Sequence, residues 1–176
     1  MKVRGLFTVL SGNILFLKEK MIRLSLIIAL VSMLLNVAKA QEIIENEGLY
    51  YKNSQLYTGE YKSYFENGQL KMTANIVEGK KEGEVKIYFD NGRLNEIRSY
   101  KNNEMDGTWE MYNSANIKVS VASYKGGQKH GQWKIWNDKG ILLYELEYAN
   151  GEKSGTWKKY DETGALISER KYVEGQ

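Results

Sequence analysis

The sequence predicts an all-β protein: an elongated antiparallel meander of tandem β-hairpin repeats, about ten strands, after an N-terminal signal peptide. Three observations support this fold class. Glycines recur every 24 residues from Gly59 onward, apolar and polar residues alternate between them, and no helix-period segment of useful length follows residue 41. Because a single hairpin cannot bury its apolar face, each unit must be stabilised by stacking on the next.

The first 40 residues have the layout of a secretory signal peptide. An apolar run of 15 residues, 24–38, follows Lys18, Lys20 and Arg23 and precedes the cleavage pattern Ala38-Lys39-Ala40. The run is short for a membrane-spanning helix, which needs ~20 apolar residues. We therefore expect cleavage after Ala40 and a periplasmic, cell-envelope or secreted protein, with an uncleaved membrane anchor as the alternative.

The start of the chain is open between two methionines. Met21 would begin an ordinary basic signal-peptide region, Met-Ile-Arg, and residues 1–20 would then be a mis-assigned upstream start. The predicted organisation is a signal peptide over 1–40, a leading cap hairpin over 41–58, and five repeats over 59–176.

Composition removes many classes of function. The 176 residues include no Cys and a single His, His130, which excludes disulfides, thiolate chemistry and a His-based metal site or triad within one chain. Residues 1–40 hold six of the 25 basic residues and one of the 22 acidic ones, so residues 41–176 are slightly acidic. We therefore expect no enzyme activity, cofactor, metal, small-molecule substrate or nucleic acid.

The repeat consists of aligned columns of glycine and aromatic residues. The leading column is Gly59, Gly83, Gly107, Gly131 and Gly155. The column two residues later is Tyr61, Val85, Trp109, Trp133 and Trp157, and the column five residues later is Tyr64, Tyr88, Tyr112, Trp136 and Tyr160. Five copies cover 59–176, and we interpret these glycine and aromatic residues as structural residues of the repeat.

Two further glycine columns predict turns with a left-handed backbone. They are Gly68, Gly92, Asn116, Gly140 and Gly164, and Gly79, Asn103, Gly127, Gly151 and Gly175. Asn replaces Gly in both columns, and Asn is the non-Gly residue that best tolerates a positive φ. These positions are therefore predicted to serve backbone geometry rather than ligand contact.

Each unit divides into two strands with a predictable register. Asn67-Gly68 predicts a two-residue type I′ loop, and residues 78–82 a looser turn. Gly59 then faces Ile76, and in the fourth unit, with Lys139-Gly140 as the loop, Trp133 faces Leu146.

The same register predicts two unlike faces. Tyr148 faces Gly131 on an aromatic and apolar face, while the opposite, mainly charged face pairs Lys134 with Glu145 and Lys158 with Glu169. Residues 48–57 look like an incomplete leading hairpin that covers the first edge of the sheet.

The motifs Gly-x-Trp-x-x-Tyr, Asn-Gly-x-Leu and Tyr-x-x-Gly-x-Lys resemble the MORN repeat, over about residues 48–176. More closely they resemble the bacterial 24-residue variant of YwqK-like proteins, commonly labelled antitoxins. The third copy is the weakest, because Ala115-Asn116 and Lys118 replace Asn-Gly and Leu. The resemblance implies an elongated β-sheet that scaffolds proteins or associates with membranes, and an antitoxin-like role for the bacterial variant.

Several patterns allow both a binding and a structural interpretation. The aromatic columns could stack on a glycan or peptide, but their recurrence in every unit favours packing. Lys62, Lys86, Lys134 and Lys158 form a row that could bind anionic lipid or an acidic partner, but neighbouring glutamates favour a solvated face. His130 lies in a turn, which favours a polar turn residue over a catalytic one.

The sequence thus predicts an exported, non-catalytic scaffold that binds a protein, because the repeat is uniform and its columns contain no cluster of catalytic side chains. The narrower hypothesis is an antitoxin-like or immunity-like protein that blocks an effector outside the cytoplasm. The alternative is an envelope-structural protein that associates with the membrane surface or with cell-wall glycan.

Overall fold

The computed structural model describes residues 18–31 and 42–173. The chain divides into two compact regions, an N-terminal region Met1–Glu42 and a C-terminal region Ile43–Gln176. In the N-terminal region residues 18–31 form an α-helix whose side chains are exposed. It is the one helix in the described residues, and it lacks the length and apolarity needed to cross a bilayer. The predicted cleavage pattern Ala38-Lys39-Ala40 lies outside the described residues, so the signal peptide stays a prediction.

The C-terminal region is built from β-strands, which confirms the predicted fold class. Eleven strands form one antiparallel sheet in hairpin order, and three short strands before them form a second sheet. The strands are β1 (Ile43–Asn46), β2 (Leu49–Lys52), β3 (Gln55–Leu56), β4 (Gly59–Tyr64), β5 (Leu70–Val77), β6 (Lys80–Tyr88), β7 (Leu94–Lys101), β8 (Glu104–Tyr112), β9 (Lys118–Lys125), β10 (Gln128–Lys129), β11 (Gly131–Trp136), β12 (Leu142–Ala149), β13 (Glu152–Tyr160) and β14 (Leu166–Tyr172). Strands β10 and β11 both pair with β9, so they are one strand interrupted at His130.

The predicted register is confirmed along the body of each hairpin. Gly59 pairs with Ile76 in the first unit, and Trp133 pairs with Leu146 in the fourth. The cross-strand charge pairs are also as predicted, Lys134 with Glu145 and Lys158 with Glu169. Since side chains alternate between the two faces of a strand, this register fixes which residues share a face.

The two turn types are the reverse of the prediction. The turn expected to be loose is a tight two-residue loop, because Val77 pairs with Lys80 and both Glu78 and Gly79 have positive φ, 48° and 78°. This is the type I′ geometry that suits the twist of antiparallel strands. The same geometry recurs at Asn102-Asn103, Gly126-Gly127 and Asn150-Gly151.

The Asn67-Gly68 loop, predicted as type I′, is longer. Gly68 N–H donates to the Phe65 carbonyl and Phe65 N–H to the Gln69 carbonyl, both at 2.9 Å, and only Gly68 in this loop has positive φ. This is a type I turn followed by a bulge glycine. The reason is local: Asn67 Oδ1 accepts the Gln69 N–H at 3.0 Å, which holds Asn67 out of the left-handed region. The predicted Lys139-Gly140 loop is wrong as well. Gly140 N–H donates to the Asn137 carbonyl at 2.9 Å, and Asn137 Oδ1, at the start of this loop, accepts the Lys139 N–H.

The left-handed backbone predicted at the two substituted columns is confirmed, with φ of 64° at Asn116 and 71° at Asn103. We expect Asn116→Ala to lower the free energy of unfolding by about 1 kcal/mol, because a Cβ-bearing residue other than Asn resists this conformation. Asn116→Gly, which restores the residue of the other units, should match or exceed the wild type. Urea unfolding followed by circular dichroism checks both variants, and equal stability of the alanine and glycine variants would contradict the explanation.

The leading glycines from Gly83 to Gly155 lie at bulges where one hairpin meets the next. In the junction of β7 and β8 the register shifts between Arg98 and Tyr100, and the bulge contains Gly107 with φ of 100°. A Cβ on Gly107 would approach the Ser99 Cβ to 3.0 Å, so glycine is needed for both conformation and space.

The leading strands β1–β3 form their own sheet, which packs on the aromatic face of the first units. Tyr50 is fully buried there, with its ring 4.8 Å from that of Tyr61. Tyr50 N–H donates to the Gly79 carbonyl at 2.9 Å, and Asn103 Nδ2 donates to the Gly48 carbonyl at 2.9 Å. The expected leading hairpin therefore covers a face of the repeat sheet, whereas the sequence interpretation placed it over the first edge.

The tightest packing lies under this leading sheet. The buried hydrophobic cluster of the C-terminal region consists of Tyr50, Ala74, Ile76 and Val85. Further along the repeats, the aromatic residues of the same face are only half-buried. The leading sheet thus closes one end of the aromatic face and leaves the rest open.

Candidate functional site

A continuous row of aromatic rings runs along one face of the sheet. We call it the aromatic ladder, and its members are Tyr100, Trp109, Tyr124, Trp133, Tyr148, Trp157 and Tyr172. Successive ring centroids are 5.0 to 5.8 Å apart and the planes are tilted by 48° to 60°. These separations are typical of attractive aromatic pairs, so each ring between the two ends of the ladder is fixed by its two neighbours.

The three indoles are also fixed by hydrogen bonds. Nε1 of Trp109 donates to the Ser99 carbonyl at 3.2 Å, and Nε1 of Trp133 to the Ser123 carbonyl at 3.0 Å. Trp157 makes the equivalent bond to the Glu147 carbonyl at 2.8 Å. Each acceptor lies at a junction bulge, where the backbone ladder is interrupted. The indole therefore donates to a carbonyl at each bulge, and at Ser123 it does so beside the His130 N–H, which donates to the same carbonyl at 2.9 Å. This shared pattern favours the packing interpretation of the tryptophan column.

Basic side chains lie over the rings of the ladder. Lys129 Nζ is 4.8 Å from the Trp133 centroid and 4.9 Å from that of Tyr148. Lys153 Nζ is 4.5 Å from Trp157 and 5.2 Å from Tyr172. All four distances fall within the range of cation–π attraction. The sequence interpretation did not single out these lysines, although the motif Gly-x-Lys places them two residues after a turn glycine.

The predicted lysine row lies on the opposite, charged face and is neutralised by glutamates. Lys62 Nζ lies 2.8 Å from Glu60, and Lys134 Nζ lies 3.1 Å from Glu145. Lys86 forms a longer pair with Glu84, at 3.7 Å, and Lys158 faces Glu169 across β13 and β14. Glu110 interrupts the row in the third unit and pairs with Lys118 at 2.7 Å. This arrangement favours the solvated-face interpretation over an anion-binding row.

The second aromatic column lies on the charged face, at the Asn-Gly end of the hairpins. Its members are Tyr64, Tyr88, Tyr112, Trp136 and Tyr160. Tyr64 on the first strand is 59% exposed, whereas Tyr160 donates its hydroxyl to Glu145 at 2.7 Å and Tyr112 to Glu110. The column thus supports the charged face and does not join the aromatic ladder.

Glu145 provides a pH-dependent contribution to stability. Its pKa is lowered, first by the hydrogen bond from the Tyr160 hydroxyl and then by that from Lys134. A carboxyl whose folded pKa is depressed stabilises the fold above its unfolded pKa, and the contribution is lost as the pH falls through the folded value. We therefore expect Glu145→Gln to lose less stability than the wild type between neutral pH and about pH 3.

The measurement is the urea midpoint at each pH. The control is Glu162→Gln, which removes an exposed turn carboxyl and should follow the wild-type curve. An acid-induced loss in Glu145→Gln as large as in the wild type would contradict the assignment.

His130 lies at the junction turn. The Asn150 N–H points at its Nδ1 at 3.5 Å, and in other units the equivalent acceptors are Glu82, at 2.8 Å from Asn102 N, and Asp106, at 3.1 Å from Gly126 N. The column therefore accepts a hydrogen bond from the next type I′ turn, as expected for a polar turn residue. Over residues 18–31 and 42–173 no group of His, Asp and Glu could hold a metal ion.

The shallow grooves of the sheet follow the repeat. A groove of about 270 Å³ is lined by Gln132, Glu145, Thr156 and Lys158, and one of about 230 Å³ by Glu60, Thr73, Glu84 and Lys86, which occupy equivalent positions three units away. Because these grooves recur with the junction bulges, they are features of the repeat and do not define a ligand cavity.

Comparison with known proteins identifies the repeat. The family model described as MORN repeat variant matches residues 57–77, 81–102, 129–150 and 153–174. The four matches pass over the third unit, whose motif is the weakest although its strands β8 and β9 pair like the others. No curated protein matches the chain. MORN repeats are non-catalytic repeats that often bind proteins or membranes. The chain therefore belongs to the MORN-repeat family.

Proposed function

We propose that the protein is exported and works as a non-catalytic scaffold that binds another protein through its repeat sheet. The observation that carries this proposal is the open part of the aromatic ladder. From Trp109 to Tyr172 the rings are half-buried and no other element of the described chain covers them. A contiguous aromatic surface of this kind is typical of an interaction site.

The fixed position of the rings favours a protein over a small ligand. Each indole is held by a backbone hydrogen bond and by tilted rings on both sides, so the surface is preorganised and costs little conformational entropy on binding. Lysines already lie over the ring faces, which leaves no bare platform on which a sugar could stack. A broad partner surface can instead contact rings and lysines together.

A narrower form of the proposal is an antitoxin-like or immunity-like protein. Its support is the resemblance of the motifs to YwqK-like proteins together with the predicted signal peptide. Such a protein would bind an effector outside the cytoplasm and cover its active surface. Its test uses a partner recovered by pull-down. Expression of that partner alone should be toxic to the cell, and co-expression of this protein should relieve the toxicity.

The test is a pull-down of tagged protein expressed from its own leader, with N-terminal sequencing of the mature form. We expect a start at Gln41 and one abundant protein partner in the envelope or secreted fraction. A retained leader, sedimentation with membranes and no stoichiometric partner would contradict the proposal. The matched control is the same tagged chain without residues 1–40, which should remain in the cytoplasm.

The second candidate is an envelope-structural protein that associates with the membrane surface or with cell-wall glycan. It is supported by the exposed lysines Lys129 and Lys153 beside the aromatic ladder. Liposome and peptidoglycan pull-downs separate the two candidates. Membrane binding through these lysines would weaken with salt, since exposed charges are screened beyond about 8 Å at physiological ionic strength.

A further inference from the structure

The leading sheet shows that the aromatic face accepts a β-element carrying a tyrosine. The segment from Glu42 to Tyr57 that forms it has three acidic residues, Glu42, Glu45 and Glu47, against one basic residue, Lys52. It places Tyr50 on the face beside Lys81, whose Nζ is 5.6 Å from the centroids of both Tyr50 and Tyr100. An acidic β-hairpin that carries a tyrosine therefore already occupies one end of this surface.

The ring of Tyr50 occupies the place that tryptophan takes in later units. Lys129 contacts Trp133 and Tyr148, and Lys153 contacts Trp157 and Tyr172, whereas the equivalent Lys81 contacts Tyr50 and Tyr100. The tryptophan column holds Val85 at this point, which leaves room for the ring of Tyr50. Lysine and aromatic rings thus form the same motif whether the second ring comes from the repeat or from the hairpin that covers it.

The open part of the face carries positive charge without a counter-ion. Lys81 under the leading sheet is half-buried, but Lys129, Lys153, Lys159 and Arg170 are exposed. Within residues 42–173 these four form no ion pair, and their contacts are with rings of the face, including Tyr144 for Lys159 at 6.0 Å and Tyr172 for Arg170 at 5.0 Å. The strand residues that share this face in β11–β14 include no Asp or Glu.

We propose that the open aromatic face between Lys129 and Arg170 docks an acidic, tyrosine-bearing β-hairpin of a partner protein. The inference rests on the proposed scaffold function and assigns the face and the chemistry of the partner. Partner carboxylates pair with the lysine and arginine head groups, while a tyrosine ring packs against the tilted rings beneath them. Lys129 and Lys153 are two strands apart, ~9.6 Å, so both can be reached by carboxylates of one hairpin.

The geometry favours a protein partner over a lipid surface. Insertion into a bilayer would require the rings to project beyond the charged groups. Here the rings are tilted against each other and half-buried, and Nζ of Lys129 and Lys153 lie over them at 4.5 to 5.2 Å. The charged groups would therefore meet the surface first and hold the rings away from the acyl chains.

The test uses the full chain and a defined probe, a labelled cyclic peptide with the sequence from Glu42 to Tyr57. Binding is measured by fluorescence anisotropy for the wild type, for Lys129→Gln/Lys153→Gln, and for the matched control Lys134→Gln/Lys158→Gln, which removes two lysines from the opposite face. We expect the first double variant to weaken binding at least about tenfold and the control to change it less than about twofold. Unfolding midpoints of both variants establish that they are folded.

Two changes in the probe test the chemistry of the partner. Replacing its three glutamates by glutamine, or making Tyr50→Ala in the peptide, should each abolish most of the binding. Retained binding by either peptide would overturn the assignment, as would an unbound wild-type peptide or equal loss in both lysine variants. Binding to phosphatidylcholine–phosphatidylglycerol vesicles that needs Lys129 and Lys153, without peptide binding, would replace the protein partner by a membrane. Self-association that needs the same lysines would replace it by a second copy.

The outcome also separates this inference from the proposed function. A partner from the pull-down that still binds Lys129→Gln/Lys153→Gln and is lost with Lys134→Gln/Lys158→Gln would keep the scaffold function and overturn the assigned face. Peptide binding on the aromatic face with no protein partner in the cell would support the face and contradict the scaffold function.

Discussion

Replacing Tyr50 by alanine should detach the leading sheet from the repeats. Tyr50 is fully buried and is the member of this sheet at the centre of the buried cluster with Ala74, Ile76 and Val85. Removing a buried aromatic side chain costs about 3–5 kcal/mol. A three-stranded sheet this small has little else to hold it, so we expect local unfolding of residues 43–57 while the repeats keep their structure.

The measurement is hydrogen exchange followed by mass spectrometry. Amides of β1–β3 should lose their protection in Tyr50→Ala, and those of β8–β13 should keep theirs. The control is Tyr51→Ala, since Tyr51 is the adjacent residue and points to the opposite face of β2. Equal protection of β1–β3 in the wild type and in Tyr50→Ala would contradict the role assigned to this ring.

Burial also makes the hydroxyl of Tyr50 a weaker acid. The pKa of Tyr50 is raised well above its ordinary range, mainly by desolvation and further by the nearby Glu45 carboxylate. The phenol is therefore neutral throughout the physiological pH range, and its hydroxyl donates to Glu45 at 3.3 Å. The leading sheet is thus held by ring packing that does not depend on pH in this range.

The features that depend on local sequence could be predicted. Alternation and the 24-residue period determine the register, so the pairing of Trp133 with Leu146 and the identity of the two faces follow from the residues alone. The positive φ at Asn103 and Asn116 follows from the substitution of Gly by Asn in a turn column. These predictions need only neighbours along the chain or across one hairpin.

The turn types required knowledge of side-chain hydrogen bonds. Asn-Gly favours a type I′ loop on backbone grounds, but Asn67 Oδ1 accepts the Gln69 N–H and Asn67 Nδ2 donates to the Asp90 carbonyl of the next hairpin at 2.9 Å. Because the second bond crosses between units, it appears only once the units are stacked. The type I′ geometry is instead adopted by Glu78-Gly79, which the sequence marks less strongly.

The position of the leading sheet and the cationic aromatic face depend on contacts distant in sequence. Tyr50 packs where Val85 interrupts the tryptophan column. The smaller residue is visible in the sequence, but only the structure shows which ring fills the space. Lys129 and Lys153 belong to the repeat motif Gly-x-Lys, and the motif alone assigns them no role. Their charge becomes informative only when the structure places them on a face without carboxylates.

Replacing Trp133 by alanine should destabilise the repeat sheet itself. Trp133 joins Tyr124 to Tyr148, with centroids 5.2 and 5.1 Å away, and its Nε1 donates to the Ser123 carbonyl at 3.0 Å. Since the ring is half-buried, we expect a loss of about 2–4 kcal/mol, below the full value for a buried tryptophan. Urea unfolding followed by circular dichroism and by fluorescence measures the loss.

Trp133→Phe separates the ring from its hydrogen bond. It keeps an aromatic neighbour for Tyr124 and Tyr148 and removes the indole donor from the Ser123 carbonyl, which still accepts the His130 N–H at 2.9 Å, so a loss of about 0.5–1.5 kcal/mol is expected. Tyr64→Ala is the matched control from the exposed end of the second aromatic column, and it should change stability by less than about 1 kcal/mol. If Trp133→Ala lowered the free energy of unfolding no more than Tyr64→Ala, the aromatic ladder would not couple one repeat to the next. The coupling between repeats would then come from the backbone pairing of the strands alone.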